Sequence, residues 1–452
     1  MVNFIRNFSM QETFSQLKEQ WRDNPRRLLH KSLLVFLAAD FILSPEPLWA
    51  DVFYIVVLPL IIRTAWHGLA SQRNFGSKIS LHGTHRQSLW ACIVQYWRSL
   101  PRTTQIGSII TLWVAVSLLW DTNVHQNPML IGAWICNVLF TLTFILSLSD
   151  ALCHGERFRD RLVTVLIWAA LVNLTIVAAR LPFLFDTFWS GDLLRITGWG
   201  ATRHQIIGAI IVGLIVLFSA NRLCCRLPGT RFMDISATIG VSGKTPFWVY
   251  AVVGTMGLFF ILMTGSRGPE ISIAIALPIL LIWINPRIGL LFIGSIVGGV
   301  AILTVGHFAV LEHFWQVSAA RGDSSRLAIW RMSWEAIKQR PLLGYGPTYL
   351  LPRIHNESFP HNLFLSTWIY TGIVGLALLM ACMFSAVHHA WRATSSHRPL
   401  AIICLLYITL CGMTDLSQVA RGPSLIWYIF WLPVLFAASS PLPREKCLKN
   451  RA

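Results

Sequence analysis

Charge is scarce in this sequence. Only 13% of its 452 residues are Asp, Glu, Lys or Arg, whereas a soluble protein has about 25%. Hydrophobic residues make up 54% of the chain, and the mean hydropathy is +0.57. So few charges cannot give several soluble domains a polar surface, and the apolar content excludes a disordered chain. The composition is typical of a polytopic membrane protein, which we expect to be all-α.

Apolar segments recur along the whole chain. A membrane-spanning helix needs about 20 mostly apolar residues, and we predict about 12 such helices. The predicted spans are 32–45, 48–66, 105–120, 129–149, 161–179, 204–220, 246–264, 269–284, 288–306, 363–387, 399–414 and 424–440. Only Pro45-Glu46-Pro47 separates the first two, so a re-entrant pair is an alternative there.

The 37 lysines and arginines are distributed unevenly between the predicted loops. With the N-terminus inside, 26 of them fall on the cytoplasmic side and 11 on the other side. Because short cytoplasmic loops are enriched in basic residues, both ends of the chain are predicted to be cytoplasmic. This distribution also accounts for the net charge of +17 without a nucleic-acid partner. The first 30 residues have no apolar core, so we expect no cleavable signal.

One predicted outer segment, 307–362, is too polar to span a membrane and too long for a simple turn. Loops of this length in compact proteins are usually functional or disordered. Trp330, Trp334 and Ile337 recur at helical spacing, so a folded helix is predicted within it. The predicted parts of the chain are a cytoplasmic segment 1–30, transmembrane helices 1–9 within 31–306, the outer loop 307–362, transmembrane helices 10–12 within 363–440, and a cytoplasmic tail 441–452.

Cysteine and acidic residues are not arranged for a disulfide or a metal site. None of the nine cysteines falls in a predicted outer loop, so we expect no disulfide. No grouping of Cys and His has the spacing of a zinc site. No Asp-x-Asp or other carboxylate cluster occurs near the outer basic residues, so a catalytic Mg²⁺ is not expected. The sequence therefore predicts no metal and no cofactor.

Arg267 is the most informative of the outer basic residues. It lies in Met263-Thr-Gly-Ser-Arg-Gly-Pro269, a short break between two apolar spans. Gly268 and Pro269 favour a tight entry into the next helix. An arginine at a helix N-terminus adds its donors to the free backbone N–H groups, which together can bind an anion at the membrane face. The alternative is an arginine that only extends to the membrane interface.

Arg195 and His361 are further candidates from the outer side. Arg195 precedes span six, with Arg203 close behind, and taken alone it is an ordinary loop arginine. His361 begins span ten, where the helix dipole disfavours a protonated histidine and leaves a neutral imidazole able to accept a proton. A histidine that only sits at the interface is the alternative. Nothing local excludes three competing histidines, which are His307, His313 and His355.

Four short motifs follow one another on the predicted outer side. They are Arg195-Ile-Thr-Gly198, Thr264-Gly-Ser-Arg-Gly268, Ser325-Arg326-Leu-Ala-Ile-Trp330 with Pro341-Leu-Leu-Gly-Tyr-Gly346, and His361-Asn362 followed after nine residues by Gly372-Ile-Val-Gly375. In this order they resemble the signature of bacterial O-antigen ligases. The resemblance covers about residues 190–375 by motif and the whole chain by topology.

This resemblance implies a GT-C-like fold and an inverting, metal-independent glycosyltransferase of the bacterial inner membrane, with its active site facing the periplasm. The donor would be a glycan linked to undecaprenyl diphosphate, and the acceptor would be the lipid A–core oligosaccharide. Arg195, Arg267 and Arg326 would hold the donor diphosphate, and His361 would be the catalytic base. Supporting roles are expected for Arg203, Tyr345, Asn362 and Asp415, of which Asp415 begins the last outer loop.

The residue types also suit this chemistry without the resemblance. Arginine binds phosphate oxygens with paired donors and stabilises charge that grows on a leaving diphosphate. A positioned base removes the proton from the acceptor hydroxyl. Two alternatives stay open: a related O-antigen polymerase or protein O-oligosaccharyltransferase, and a transporter of lipids or anions. No pair of matching broken spans, typical of many transporters, is found in the sequence.

Overall fold

The computed structural model describes residues 24–43, 46–67, 89–154, 157–181, 196–227, 230, 245–305, 326–353, 358–393 and 398–440. The regular structure in these ranges is helical, as expected where lipid cannot satisfy backbone hydrogen bonds. The helices are α1 Pro25–Ile42, α2 Leu48–His67, α3 Leu89–Ser99, α4 Arg102–Ser117, α5 Thr122–Gln126, α6 Met129–His154, α7 Phe158–Arg180, α8 Gln205–Cys224, α9 Phe247–Thr264, α10 Arg267–Ile284, α11 Pro286–Val305, α12 Arg326–Gln339, α13 Leu363–Arg392, α14 Arg398–Gly412 and α15 Trp427–Ala438.

A helix lies at each of the twelve segments where a span was predicted. Within the described ranges, eight helices are long and apolar enough to cross a membrane: α2, α4, α6, α7, α8, α9, α10 and α13. Three more apolar stretches are shorter: Pro286–Ile302 within α11, Arg398–Gly412, which is α14, and Trp427–Ala438, which is α15. The part of the chain that the structure describes is therefore all-α and has the helices of a multi-pass membrane protein, while the total of twelve spans and the GT-C-like arrangement stay predictions.

Helix α8 lies at the centre of the bundle. Its residues from Gly208 to Ser219 are all buried, and it packs against α9, α10 and α14. Because lipid is as apolar as these side chains, polar contacts between helices add specificity to the packing. One such contact joins the hydroxyls of Thr104 and Ser149 at 2.8 Å, between α4 and α6.

The break between α9 and α10 is as short as the sequence predicts. Helix α9 ends at Thr264, and Gly265 adopts a left-handed conformation with φ 56°, which a residue without Cβ allows at little cost. Ser266 is the N-cap residue and Arg267 is the first residue of α10. Two residues therefore suffice to reverse the chain at this membrane face.

Helix α13 is broken at Gly372, where φ is 68° and the backbone is not helical. The break frees backbone groups that an unbroken helix would pair, and the preceding loop pairs them instead. The N–H of Tyr345 donates to the carbonyl of Ile369 at 2.8 Å, and the N–H of Ile373 donates to the carbonyl of Pro341 at 3.0 Å. The outer loop is thereby fixed to α13.

The helix predicted within the outer loop is α12, and it packs against the first turns of α13 through Ile329 and Ile337. It ends at Gln339, just before Pro341, a residue type that cannot continue a helix. The intrahelical ion pair that the structure forms is between Lys338 and Glu335, at 2.9 Å. The two residues are three positions apart on the helix.

Candidate functional site

An ion pair between Arg326 and Asp415 joins two of the predicted site residues. Arg326 is the first residue of α12, and Asp415 follows α14. A guanidinium nitrogen of Arg326 donates to one carboxylate oxygen of Asp415. The hydroxyl of Thr414 donates to the other oxygen at 2.5 Å. Both oxygens of Asp415 are therefore bonded, and its side chain is only 1% exposed.

The groups around Asp415 act in opposite directions on its ionisation. Burial raises the pKa of the Asp415 carboxyl above its usual value, because the charged form loses hydration. The charge of Arg326, the hydroxyl of Thr414 and the charge of His361 act in the opposite direction on the same pKa. A carboxylate buried this deeply depends on its cationic neighbours to stay ionised.

His361 has an unusual backbone conformation. Its φ is 49°, the one positive value among the non-glycine residues that the structure describes, and a residue with a Cβ rarely adopts it. The next residue, Asn362, caps α13, accepting from the N–H groups of Phe364 and Leu365 at 3.0 Å. The Asn362 amide also donates to the carbonyl of Met413 at 2.9 Å. Asn362 therefore ties the chain at His361 to the segment that contains Asp415.

The first turn of α10 completes this group of elements. Gly268 lies so close to the loop after α14 that an added Cβ would be 2.2 Å from a carboxylate oxygen of Asp415 and 2.4 Å from the hydroxyl of Thr414. Only glycine fits there. Arg267, the preceding residue, has an exposed side chain at the N-terminus of α10. The structure thus brings the short arginine motif to the segment that pairs with Arg326.

The upstream arginine motif is described in part. Arg195 lies outside the described residues, as do His307, His313 and His355. Ile196 is described, and its N–H donates to the carbonyl of Met263 at 3.1 Å. Ile196, the residue directly after Arg195, therefore lies at the end of α9. Its partner Met263 is four positions before Arg267 in the sequence. Arg203 is half-buried between this segment and the start of α8.

Tyr345 lies away from this group. Its hydroxyl donates to the side chain of Gln339 at 3.0 Å, and its ring stacks on Tyr349 with 4.1 Å between centroids. Gln339 ends α12 whereas Arg326 begins it, which separates them by about 20 Å at 1.5 Å of rise per residue. The contacts of Tyr345 therefore fix the loop after α12 and do not reach the ion pair between Arg326 and Asp415.

Two residues of the site had no predicted role. Thr414 holds the second oxygen of Asp415, and Trp330 donates its indole N–H to the carbonyl of Pro360 at 3.1 Å. The spacing of Trp330 offered a signal, because a residue four positions after Arg326 lies on the same helix face. Nothing in the sequence near Thr414 indicated its role, since it depends on the neighbour across the site.

The assembled group combines cations with a proton acceptor at one membrane face. Arg267 and Arg326 supply forked N–H donors suited to phosphate oxygens, and the free N–H groups at the start of α10 attract an anion. The imidazole of His361 can accept a proton when neutral. In the described ranges, no group of three or more His, Cys, Asp or Glu side chains is placed to hold a metal ion. This arrangement can bind a diphosphate and deprotonate a hydroxyl.

Comparisons with known proteins agree with the motifs. Residues 251–380 match the family model described as O-Antigen ligase. The chain is also 25% identical over 328 residues to a protein named O-antigen ligase from Pseudomonas aeruginosa, an alignment that covers 71% of this chain and 73% of that protein. The resemblance that the four motifs indicated is confirmed. The matched family segment includes Arg267, Arg326 and His361 and ends before Asp415.

Proposed function

We propose that this chain, whose residues 251–380 match the O-antigen ligase family model, transfers O-antigen glycan from undecaprenyl diphosphate to lipid A–core oligosaccharide. A domain of this family indicates an enzyme of the glycosyltransferase type that acts in lipopolysaccharide biosynthesis. The observation that supports the specific reaction best is the convergence at Asp415. It pairs with Arg326, contacts the turn that begins with Arg267, and lies within electrostatic reach of His361.

The arginines would bind the donor. Arg267 faces outward at the start of α10, where the backbone N–H groups add to its attraction for a diphosphate. Arg326 uses one nitrogen for Asp415, and the guanidinium has five N–H donors in all, so others remain for phosphate oxygens. Arg195 would join them from the segment that meets the end of α9. Fixed cations of this kind stabilise the negative charge that develops on the leaving diphosphate.

His361 would activate the acceptor. Its neutral imidazole removes the proton from an acceptor hydroxyl, the oxygen forms a bond to the anomeric carbon, and the bond from that carbon to the diphosphate oxygen breaks with inversion. The imidazolium that results is stabilised by the negative charge of Asp415, as a buried aspartate does in other His-containing sites. Asp415 would also hold Arg326 in place, so one carboxylate connects the base with the donor site.

The reaction would take place at the periplasmic face of the bacterial inner membrane. The predicted topology supports this side, because the motifs fall where only 11 of the 37 lysines and arginines lie. Lipid-linked glycan also needs a site that opens at the membrane surface, and Arg267 meets this need at the start of the apolar helix α10. Membrane lipids would surround the bundle, and no nucleic acid, metal or cofactor takes part.

Reconstitution tests the proposal directly. Purified protein in lipid nanodiscs, mixed with glycan on undecaprenyl diphosphate and with lipid A–core, should form the joined product. The same mixture with donor alone should form no longer glycan, and a peptide acceptor should remain unmodified. Longer glycan would favour an O-antigen polymerase, and a glycosylated peptide would favour a protein O-oligosaccharyltransferase. Transport of the donor across a vesicle membrane without any transfer would contradict the proposal.

A further inference from the structure

One face of α12 contacts both chain segments that make up the site. Arg326 and Trp330 are four residues apart and therefore lie on the same side of the helix. Arg326 reaches the carboxylate of Asp415. Trp330 donates its indole N–H to the carbonyl of Pro360, with 3.1 Å between nitrogen and oxygen. This carbonyl belongs to the residue directly before His361.

The bond from Trp330 acts on the peptide plane that sets the backbone of His361. The carbonyl of Pro360 and the nitrogen of His361 belong to one rigid peptide unit. A hydrogen bond that orients the carbonyl therefore orients the plane from which φ of His361 is measured. That φ is 49°, a conformation that persists only where the surroundings hold it.

The chain is held on both sides of His361. After it, the side chain of Asn362 caps α13 and donates to the carbonyl of Met413 at 2.9 Å. Before it, the side-chain hydrogen bond to Pro360 within the described part of the chain comes from Trp330. Without the indole N–H, the Pro360–His361 peptide can rotate, and His361 can relax to an ordinary backbone conformation with its imidazole turned elsewhere.

We infer that Trp330 is a positioning residue for His361: its indole N–H orients the Pro360–His361 peptide and so directs the imidazole toward the reacting hydroxyl. The inference rests on the proposed function, in which His361 is the base. Trp330 itself need not touch the donor or the acceptor. Its effect belongs to the proton-transfer step and not to donor binding, which the arginines perform.

Three substitutions distinguish the effect of the indole N–H from the effect of the aromatic ring. Trp330→Phe keeps an aromatic side chain and removes the donor. Trp330→His leaves a smaller ring but keeps a donor, because its Nε2–H is two bonds from Cγ, as the indole N–H is in tryptophan. Trp334→Phe is the matched control on the same helix, because Trp334 is 46% exposed and packs edge-on against Trp368.

The measurements, both in nanodiscs, are the single-turnover transfer rate per mole of donor-binding protein and the dissociation constant of undecaprenyl-diphosphate-linked glycan. Trp330→Phe should lower the rate about 10- to 100-fold, the loss expected when a catalytic group moves by about 1 Å, with donor binding unchanged. Trp330→His should keep a higher rate than Trp330→Phe, and Trp334→Phe should match wild type. Trp330→Phe combined with His361→Ala should be no slower than His361→Ala alone.

Two results would overturn the inference. The first is a Trp330→Phe rate equal to wild type, or below it but accompanied by an equal loss of donor binding. The second is a slower Trp330→His than Trp330→Phe, which would mean that ring volume and not the N–H matters. Full activity of His361→Ala would instead contradict the proposed base itself. Because rates refer to donor-binding protein, poor accumulation of one variant does not change the comparison.

Discussion

Two aspartates in this protein have similar partners but different surroundings. Asp150, near the end of α6, is contacted by Arg26, His30 and His154. Asp415, after α14, is contacted by Arg326 and Thr414 and lies within electrostatic reach of a histidine. The predicted topology puts Asp150 on the cytoplasmic side and Asp415 on the outer side. An arginine, a carboxylate and a histidine together therefore do not by themselves identify a catalytic site.

The difference lies in the backbone that presents each histidine. His30 and His154 are on regular turns of α1 and α6; the contact of His30 with Asp150 joins the two helices and stabilises the bundle, whereas His154 contacts Asp150 within α6. His361 is in a loop with a left-handed conformation held from both sides. A strained backbone conformation costs stability and persists only where the surroundings hold it. Such conformations are concentrated at functional sites. Conformation, and not composition, distinguishes the two groups.

Accessibility from the two sides of the membrane gives the largest expected difference between the two regions. In a background with the native cysteines replaced by serine, Leu327→Cys should label completely with an impermeant thiol reagent added to intact spheroplasts. Trp90→Cys should not label until the membrane is opened. Both side chains are well exposed, at 58% and 71%, so only the side of the membrane differs. Labelling of position 90 but not 327 would reverse the topology and remove the proposed site from the periplasm.

Removal of the histidine should distinguish the two groups in the transfer rate. His361→Ala should lower the rate about 10²- to 10⁴-fold, the usual contribution of a general base, while donor binding persists through the arginines. His30→Ala should leave the rate unchanged. Assays of single turnover and donor binding on the same preparations decide this, and near-normal turnover by His361→Ala would exclude it as the base.

Removal of each carboxylate should affect different properties. Asp415→Asn should lower transfer about 10²-fold, because a misplaced base and donor site cost this much, and Arg326→Ala should have a similar effect. When the losses in transfer rate are expressed as free energies, the loss in the double variant should be smaller than the sum of the two single losses, since contacting residues couple by about 0.5–3 kcal/mol. Asp150→Asn should instead lower the unfolding temperature and leave the rate per folded molecule intact. Additive losses at Arg326 and Asp415 would mean that their ion pair plays no part.

The arginine at the start of α10 should tolerate lysine poorly. Arg267→Lys keeps the charge but loses the planar fork, so transfer should fall about 10-fold or more, since a hydrogen bond to a charged group contributes ~1.5–3 kcal/mol. The donor affinity should fall with it, toward that of Arg267→Ala. Arg287→Lys is the control, because Arg287 is also exposed in the first turn of a helix, α11, on the predicted cytoplasmic side. A fully active Arg267→Lys would favour a simple interface anchor.

Chelation should have the smallest effect. The proposed reaction places the charge of the leaving diphosphate on arginines, so transfer should continue at the same rate after dialysis against EDTA. Added Mg²⁺ should not increase the rate beyond the effect of ionic strength, which a matched amount of NaCl reproduces. A rate that collapses with EDTA and returns with one divalent cation would require a metal-binding group that the proposal does not include.

Much of the fold follows from local sequence. A helix lies at each of the twelve predicted apolar segments because helical backbone satisfies its own hydrogen bonds in lipid. The break at Gly265 and the end of α12 before Pro341 were also predictable, because glycine and proline act on the residues next to them. The kink of α13 was not predicted, since Gly372 can leave the helix only where the loop at Pro341 supplies new partners.

The sequence by itself determined the class of protein, the positions of its helices and the motifs from which Arg267, Arg326 and His361 were named. Only the tertiary structure decided what these residues contact. The bond between Arg326 and Asp415 joins positions 89 residues apart, and the close fit of Gly268 against Asp415 depends on how α10 packs beside α14. Apolar periodicity and turn residues act over a few positions along the chain, whereas burial, ion pairing and the conformation of His361 depend on neighbours that only the packed helices bring together.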